Sequence, residues 1–258
     1  MYISYTKGDN MNKSALRTID VLEFIAENKQ GVTLTEISKE LKLPMASASD
    51  ILKSLMSKRM VELGESRTYK IGVKNLLLGN AYLANIDVVA VSMPFIDALS
   101  EQTHNTVFLG KLIDDRITYL YKREPIGLFV STCRIGSRAD LSTTALGKVV
   151  LAYNEDIKEA TLSKPLRVKT RHSITDPDVL RKELVDVKVK GYSVDMMEHD
   201  DRILCVGLPI FDEAGRVEHC ISISGIYQES RDIEREVELG KICAGDISRK
   251  LGYLGKAL

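Results

Sequence analysis

The sequence predicts an α+β protein of two domains, a small helical domain closed by a short hairpin and a larger domain of mixed helices and antiparallel strands. Two observations predict this fold class. Apolar residues recur with helical spacing in three consecutive segments before residue 60, and alternating residues follow them. From Asn105 onward, strand-like runs, turns and helical stretches are interleaved, which is typical of an antiparallel α+β arrangement.

The first three helices are predicted from apolar spacing and from the residues at their ends. The segment "KSALRTIDVLEFIAENKQG" has apolar residues three or four positions apart. In "TLTEISKELKLP", Thr33 and Thr35 are candidate N-caps, and Glu36 completes a capping box with Thr33. Pro44 ends this helix and begins a third helix, over about Met45 to Lys58.

A short β-hairpin is predicted directly after the third helix. In "MVELGESRTYKIG", alternating residues flank the turn-forming "GESR". Three helices followed by a hairpin form the winged helix-turn-helix pattern, in which the third helix enters the major groove of DNA and the wing contacts the backbone. The sequence therefore favours DNA binding. The alternative is a winged helix used for contact with another protein.

The predicted elements divide the chain into four parts. These are a flexible arm (1–12), the winged helix-turn-helix domain (13–72), a linker helix (73–86) and the larger domain (87–258). The larger domain is predicted to contain a helix capped by Asp87, two strands joined at Asp114-Asp115, a helix in "TTALGKVVLAYN", a helix ended by Gly191, a hairpin around "DEAG" and a closing helix.

Composition and charge exclude several classes of protein. No apolar run reaches the roughly 18 residues of a membrane-spanning helix, and the N-terminus lacks the apolar core of a secretion signal. We therefore expect a cytoplasmic protein without membrane contact. The formal net charge is +0, which argues against a surface coated with nucleic acid. It permits a small basic face, because charges are screened beyond about 8 Å at physiological salt.

Catalysis, metal binding and a cofactor are not expected. The four cysteines (Cys133, Cys205, Cys220, Cys243) form no CxxC pair, so we expect them to be reduced and mostly buried, without zinc. No hydrolase, metalloprotease or nucleotide-binding motif occurs. Ser142 or Cys205 with a histidine base remains the enzymatic alternative. His199 and the acidic residues beside it are the one candidate metal-binding cluster. Side chains of residues adjacent on one strand cannot all point toward one ion, so we do not expect a metal there.

Seven segments along the chain occur together in a fixed order. They are "LRTIDVLEFIAE", "TLTEISKELKLP", "YKIG", "TALGKVVLA", "SITDPDVLRKELVDVKVKGYSVD", "CVGLPIFDEAGRV" and "ISISG". From about Lys13 to Gly252 the chain resembles an IclR-type transcriptional regulator. The resemblance implies a winged helix, a linker helix and a C-terminal effector-binding domain with a GAF-like sheet. It also implies that dimers or pairs of dimers bind double-stranded DNA and that a small organic ligand regulates this binding.

The start of the third helix departs from the family pattern. The resemblance leads us to expect Pro-Lys-Ser-Thr, then an aromatic residue or His, then Arg, whereas Pro44 to Asp50 read "PMASASD". Backbone anchoring must then come from other cations, and between Lys13 and Lys74 eleven Lys and Arg outnumber eight Asp and Glu. The candidate DNA contacts are Lys13, Arg17, Lys42, Ser47, Ser49, Asp50, Lys53, Lys58, Arg67 and Lys70.

The polar residues of the third helix have two interpretations. Ser47 and Ser49 can donate hydrogen bonds to phosphates or bases, and Asp50 can accept one from a cytosine amino group. Alternatively, Asp50 only occupies the first helical turn, where the helix dipole favours an acid. We expect DNA binding that is weaker than in relatives or tuned to a different site.

The segment "DLSTTALGK" predicts a site for a carboxylate. Ser142, Thr143 and Thr144 precede a helix whose first N–H groups belong to about Ala145 and Leu146, and N–H groups at a helix start bind anions. The alternative is an ordinary Ser/Thr N-cap without a ligand. The resemblance shifts the interpretation toward a site, because the effector pocket of the family uses this loop.

The resemblance also places Asp195, Cys205, Ser222 and Ser224 at pocket-facing positions. Ser222 and Ser224 alternate in "ISISG", so both point to one face of the sheet, and buried hydroxyls need partners. Cys205 by itself is more often simply buried. Asp195 would repel an anionic effector unless it is protonated or orients a donor or hydroxyl.

Three further residues concern the rim of this pocket. Leu128 and Phe129 are apolar candidates for its other wall. Arg202 stands where many relatives have Gly, and we favour a solvated turn residue over a positive charge at the pocket mouth.

The sequence thus predicts a ligand-responsive DNA-binding regulator of small-molecule metabolism genes, a repressor by default. Its effector is expected to be a small organic acid, and the chain is expected to form a homo-oligomer. The alternatives are a non-catalytic protein-interaction module and a hydrolase-type enzyme.

Overall fold

The computed structural model describes residues 12–64, 66–84, 87–125 and 133–255. Contacts divide the chain into two compact units, residues 1–85 and residues 86–258. Within the described ranges, no helix is both long enough and apolar enough to cross a membrane.

The first unit has the predicted order of helices and hairpin. Its elements are α1 (Lys13–Glu27), α2 (Leu34–Glu40), α3 (Met45–Ser57), β1 (Val61–Leu63), β2 (Tyr69–Ile71) and α4 (Lys74–Ala84). The predicted capping box is confirmed, because Thr33 Oγ1 accepts the Glu36 N–H at 3.3 Å and the Glu36 carboxylate accepts the Thr33 N–H at 2.7 Å. Pro44 is the N-cap of α3, also as predicted.

The core of the first unit lies between α1, α2, α3 and the hairpin. Ala48, Leu52 and Leu55 form the buried stripe of α3. Ile51, whose apolar side chain also has helical spacing with Ala48 and Leu55, is only partly buried. Its position follows from helical geometry, since a residue one step before Leu52 is rotated by about 100° and lies on the flank of the stripe.

The hairpin is the predicted wing, with β1 and β2 paired antiparallel and Val61 opposite Ile71. Gly72 ends it in close contact with the chain that leaves α3, because a Cβ at this position would lie 2.3 Å from the Arg59 carbonyl oxygen. The Asn75 side chain then joins the start of α4 to the wing, donating to the carbonyl of Met60 at 2.6 Å.

The second unit is built around an antiparallel sheet. Its strands are β3 (Thr106–Ile113), β4 (Arg116–Arg123), β5 (Arg138–Ala139), β6 (Ser193–Met196), β7 (Ile203–Ile210) and β8 (His219–Ile226). Their order across the sheet, among the described residues, is β5-β4-β3-β8-β7-β6. The helices are α5 (Asp87–Thr103), α6 (Ala145–Tyr153), α7 (Glu155–Leu162), α8 (Pro177–Lys190) and α9 (Ile233–Lys250).

Strand alternation gives this sheet two different faces. Ile221 and Ile223 lie in the core formed with α5 and α9, whereas Phe108 lies in the core formed with α6 and α8. Successive residues of β8 point to opposite faces, so Ser222 and Ser224 face the α6 side, as the sequence predicts. The polar row of the sheet therefore faces the start of α6.

Most elements of the second unit were predicted, and three short ones were not. The strand pair with its turn at Asp114, the helix ended by Gly191 at φ 77° and the hairpin around "DEAG" are confirmed. The strands β5 and β6 and the helix α7 were missed. They contain 2, 4 and 8 residues, so apolar periodicity alone does not distinguish them from loops, and α7 lacks the side-chain cap that marks the 7-residue α2.

Candidate functional site

The candidate DNA-binding face is the side of α3 opposite its buried stripe. Asp50 and Lys53 are exposed there, and Ser47 and Ser49 are partly exposed at its edges. Lys53 Nζ donates to Asp50 Oδ1 at 3.2 Å, and the two side chains are 68% and 75% exposed. An ion pair this exposed contributes only about 0–1 kcal/mol, so a phosphate oxygen can displace Asp50 from Lys53.

The other predicted DNA contacts surround α3 in sequence. Lys42 lies in the turn between α2 and α3 with φ 52°, and Arg67 lies at the turn of the wing with φ 53°. The remaining predicted contacts are also exposed, and they are Lys13 and Arg17 on α1, Lys58 after α3 and Lys70 on β2. Since Lys53 is the sole basic residue of α3 and is paired with an acid, most of the positive charge of this unit lies outside α3.

A cavity of about 210 Å³ opens beside the start of α6 in the second unit. Seven predicted effector-binding residues line it: Thr144, Ala145, Leu146, Asp195, Cys205, Ser222 and Ser224. The structure adds Phe108, Tyr119, Cys133, His199, Asp200, Arg202 and Ile203 to this lining. The cavity therefore combines an aromatic and aliphatic wall with polar side chains from the sheet.

The floor of the cavity is a row of polar residues across three strands. Asp195 is paired with Cys205, and Cys205 with Ser224, in the antiparallel register. Cys205 Sγ donates to Ser224 Oγ at 3.2 Å. Burial raises the pKa of Cys205, so this side chain is a neutral thiol and a weak hydrogen-bond partner.

The start of α6 supplies unpaired donors to the cavity. Thr144 is the N-cap, and its Oγ1 accepts the Gly147 N–H at 3.1 Å. Within the part of the chain that the structure describes, the backbone N–H groups of Ala145 and Leu146 have no acceptor. A Cβ at Gly207 would lie 2.6 Å from the Ala145 carbonyl oxygen, so glycine allows α6 to begin directly against β7.

Asp195 is the buried one of the two acids that line the cavity and is 2% exposed, whereas the Asp200 side chain is 44% exposed. Its Oδ1 accepts the N–H of Glu198 at 2.7 Å and that of His199 at 3.3 Å. Burial, reinforced by the charge of Glu198, raises the pKa of Asp195 to about 7, although these two N–H groups and Lys148 act in the opposite direction. Asp195 thus exchanges its proton near neutral pH.

A buried ion cluster supports the turn that follows Asp195. Lys148 is fully buried, and its Nζ donates to Glu183 at 2.5 Å, to the carbonyl of Val194 at 2.5 Å and to Glu198 at 2.6 Å. Burial lowers the pKa of Lys148, but the two glutamates more than offset this and hold it above its usual value. The charged ammonium group therefore ties α6 to α8 and to the rim of the cavity.

Three predicted residues are not in the cavity lining as described. Thr143 is fully buried, and its Oγ1 lies 3.0 Å from His199 Nδ1, so its hydroxyl contacts the turn after Asp195 and not the cavity. Leu128 and Phe129 lie outside the described residues.

Arg202 is both a solvated turn residue and a residue at the mouth of the cavity. Its side chain is 82% exposed and pairs with Asp200 at 3.8 Å, yet the residue also lines the cavity. It therefore supplies a solvated positive charge at the mouth.

Two lining residues were missed although the sequence carries a signal for them. Phe108 alternates with Val107 and Leu109 on β3 and pairs with Ser222, so strand alternation places it on the cavity face. Tyr119 packs against it with ring centroids 4.9 Å apart. His199 carries no local signal, because a turn of non-repeating conformation brings it to Thr143.

The cysteines and acidic residues form no metal site within the described ranges. None of the four cysteines, all of which lie within the described ranges, forms a disulfide. Cys220 and Cys243 are buried as expected, but Cys133 and Cys205 are partly exposed because both line the cavity.

A winged helix-turn-helix on one unit and a cavity of small-molecule size on the other define a ligand-responsive DNA-binding protein. Comparison with known families agrees with this class. The model of the IclR helix-turn-helix domain matches residues 14–64, and that of the bacterial transcriptional regulator IclR C-terminal domain matches residues 80–249.

Individual relatives match nearly the whole chain. The HTH-type transcriptional regulator KdgR of Dickeya chrysanthemi is 30% identical over 245 residues, covering 93% of this chain and 80% of the relative. The crystal structure of the Thermotoga maritima IclR is 31% identical, with a TM-score of 0.69, covering 93% of this chain and 99% of that one. The HTH-type transcriptional repressor AllR of Salmonella typhimurium is 29% identical over 242 residues, covering 92% and 89%.

The chain belongs to the IclR family of transcriptional regulators. It is therefore a DNA-binding regulator with an effector-binding C-terminal domain, and it is not an enzyme.

Proposed function

We propose that this regulator represses genes of small-molecule metabolism and is controlled by a small organic acid bound in the cavity beside α6. The observation that carries the proposal is the pair of unpaired N–H groups of Ala145 and Leu146, on residues that line that cavity. Donors at a helix start favour a negatively charged group because the helix dipole adds to their hydrogen bonds.

The remaining lining fits the rest of such a ligand. Ser222 and Ser224, 3% and 5% exposed, offer hydroxyls for oxygen substituents. Phe108 and Tyr119 form an apolar wall for a carbon skeleton. A volume of about 210 Å³ limits the effector to a small metabolite.

Asp195 makes binding of an acid dependent on pH. Protonated Asp195 tolerates a carboxylate nearby and donates a hydrogen bond, whereas ionised Asp195 repels it. We therefore expect acid effectors to bind more tightly at pH 6 than at pH 8.

A thermal-shift screen of small organic acids, each paired with its amide, tests the effector proposal. Acids should raise the melting temperature of the full chain and their amides should not. Ser222→Ala should reduce the shift, and Ser163→Ala, an exposed serine outside the cavity, should preserve it. Stabilisation by amides and acids alike would contradict binding through a negative charge.

DNA binding is proposed to use α3 for bases and the surrounding cations for phosphates. We expect Arg67→Ala to weaken binding to all duplexes and to reduce the slope of log affinity against log salt by about 0.9, the loss of one phosphate contact. Asp50→Asn, which frees Lys53, should strengthen binding and steepen the slope. Ser47→Ala should relax the choice of base at one position.

These variants can be tested on a duplex selected from a random library by the full-length protein. Fluorescence anisotropy at several salt concentrations gives the slopes. Lys188→Ala, an exposed cation of the second unit, removes the same charge and serves as control. If the slope of log affinity against log salt were the same for Arg67→Ala and the wild type, Arg67 would not contact a phosphate.

We also propose a homodimer or a pair of dimers, with α4 acting as the linker between domains. The support lies in the first unit, where large apolar side chains are exposed on two helices. They are Leu16 (41%), Ile19 (52%), Leu76 (62%), Leu77 (56%) and Leu78 (54%). Light scattering of Leu77→Asp against the wild type tests this, and an unchanged mass would exclude this part of α4 from the contact.

A further inference from the structure

We propose a second ligand site in the C-terminal domain, a pocket for a phosphate group on the outer side of the loop that leads into α6. This pocket has a volume of about 190 Å³ and shares no lining residue with the effector cavity. It is lined by residues from the β3–β4 turn, the loop at residues 140–142, α7 and the segment that follows α7.

Three cations gather around one acid at this pocket. The Asp140 side chain is 12% exposed, and its oxygens lie 4.0 Å from Arg116 Nη1, 3.7 Å from Arg167 Nε and 3.6 Å from Lys169 Nζ. All three distances exceed hydrogen-bond length. The three side chains donate no hydrogen bond within the described part of the chain, so their N–H groups remain available to a ligand.

The pocket carries an excess of positive charge. Lys164 also lines it and has no ion pair among the described residues. The acid Asp115 lines it as well, and Arg138 pairs with both Asp114 and Asp115. Counting the lining, its ion-pair partners and Asp114, the second partner of Arg138, five Arg and Lys face three Asp, which leaves two positive charges. A phosphate group carries about −1.5 to −2 at pH 7 and matches this excess.

Ser142 supplies a neutral donor to the same pocket. The residue is 3% exposed and lines the pocket, yet its hydroxyl makes no hydrogen bond with the described residues. The hydroxyl oxygen itself remains accessible from the pocket, so a ligand or water there can accept its hydrogen bond. Arginine is well suited to phosphate because its planar guanidinium donates two parallel hydrogen bonds.

The pocket and the effector cavity are joined by a short segment of chain, residues 140–144. Asp140 and Ser142 lie at the pocket, and Thr144 lies at the cavity. Thr144 Oγ1 donates to the Asp140 carbonyl at 2.7 Å, which fixes the two ends of this loop to one another. A phosphate that accepts a hydrogen bond from Ser142 is thus bound two residues before Thr144, the N-cap of α6.

Titration of the full chain with inorganic phosphate tests the proposal. Calorimetry in a phosphate-free buffer, at ionic strength held constant with sodium chloride, should show saturable binding. Arg167→Ala should weaken it by at least about tenfold, the loss of a charge-assisted hydrogen bond, and Ser142→Ala by about threefold to tenfold. Both residues are outside the effector cavity.

Arg171→Ala is the matched control, because Arg171 is an exposed cation of the same segment that does not line the pocket. The affinity of the Arg171→Ala protein for phosphate should stay within about twofold of that of the wild type. Absence of saturation would overturn the proposal. So would an equal loss in Arg171→Ala and Arg167→Ala, since that would indicate unspecific attraction to the basic segment.

Discussion

Replacement of Asp195 by Asn gives the sharpest test of how the cavity is built. An amide has the shape of the carboxyl group, and its Oδ1 can accept the same N–H groups of Glu198 and His199. The substitution removes the proton exchange and leaves the packing. Any difference between the two proteins that depends on pH then belongs to the buried acid.

The magnitude follows from the pKa of Asp195. Burial raises it to about 7 in the folded chain, and the unfolded value is about 3.9. Between these values the folded state holds the proton and the unfolded state does not, so stability falls as pH rises and levels off above pH 7. From pH 5 to pH 7.5 the wild type should lose about 2.5 kcal/mol more than Asp195→Asn.

Urea unfolding at pH 5 and pH 7.5 measures this difference. The chain has ten tyrosines and no tryptophan, so tyrosine fluorescence reports unfolding. Asp201→Asn is the control, because it removes an exposed acid from the same turn. Equal pH dependence of the wild type and Asp195→Asn would refute a buried acid that titrates near neutral pH.

Two further substitutions test the support of the cavity. Lys148→Met should lower the free energy of unfolding by about 3–5 kcal/mol, because it leaves the buried Glu198 without its cation. Adding Glu198→Gln should restore part of this loss, and a cost below about 1 kcal/mol for the single variant in urea would contradict the reasoning. Gly207→Ala should cost about 1–3 kcal/mol and abolish effector-dependent thermal shifts, since its Cβ would push the start of α6 from the sheet. Gly245→Ala, whose Cβ would meet no atom closer than 3.6 Å, should be tolerated, and equal melting temperatures for both variants would exclude the proposed contact.

Local sequence signals were sufficient for the first unit. The capping box of Thr33 and Glu36, the N-cap Pro44 and the alternation in the wing each depend on residues a few positions apart. The same holds for Ser222 and Ser224, because strand alternation alone puts both on one face. The helix-turn-helix and the polar row of the cavity were therefore predictable.

The sequence by itself determined the order of the elements in the first unit, the longer elements of the second unit, the start of α6 and the family resemblance, since these arise from short-range spacing and fixed motifs. Only the tertiary structure decided that Asp195 is buried enough to hold a proton, that Lys148 is enclosed by two acids and that Ser142 faces a separate pocket. Lys148 and Glu198 are 50 residues apart in the chain, and Thr143 and His199 are 56 apart. Burial and charge at these positions depend on which distant segments fold against each other, and no local pattern of residues specifies that contact.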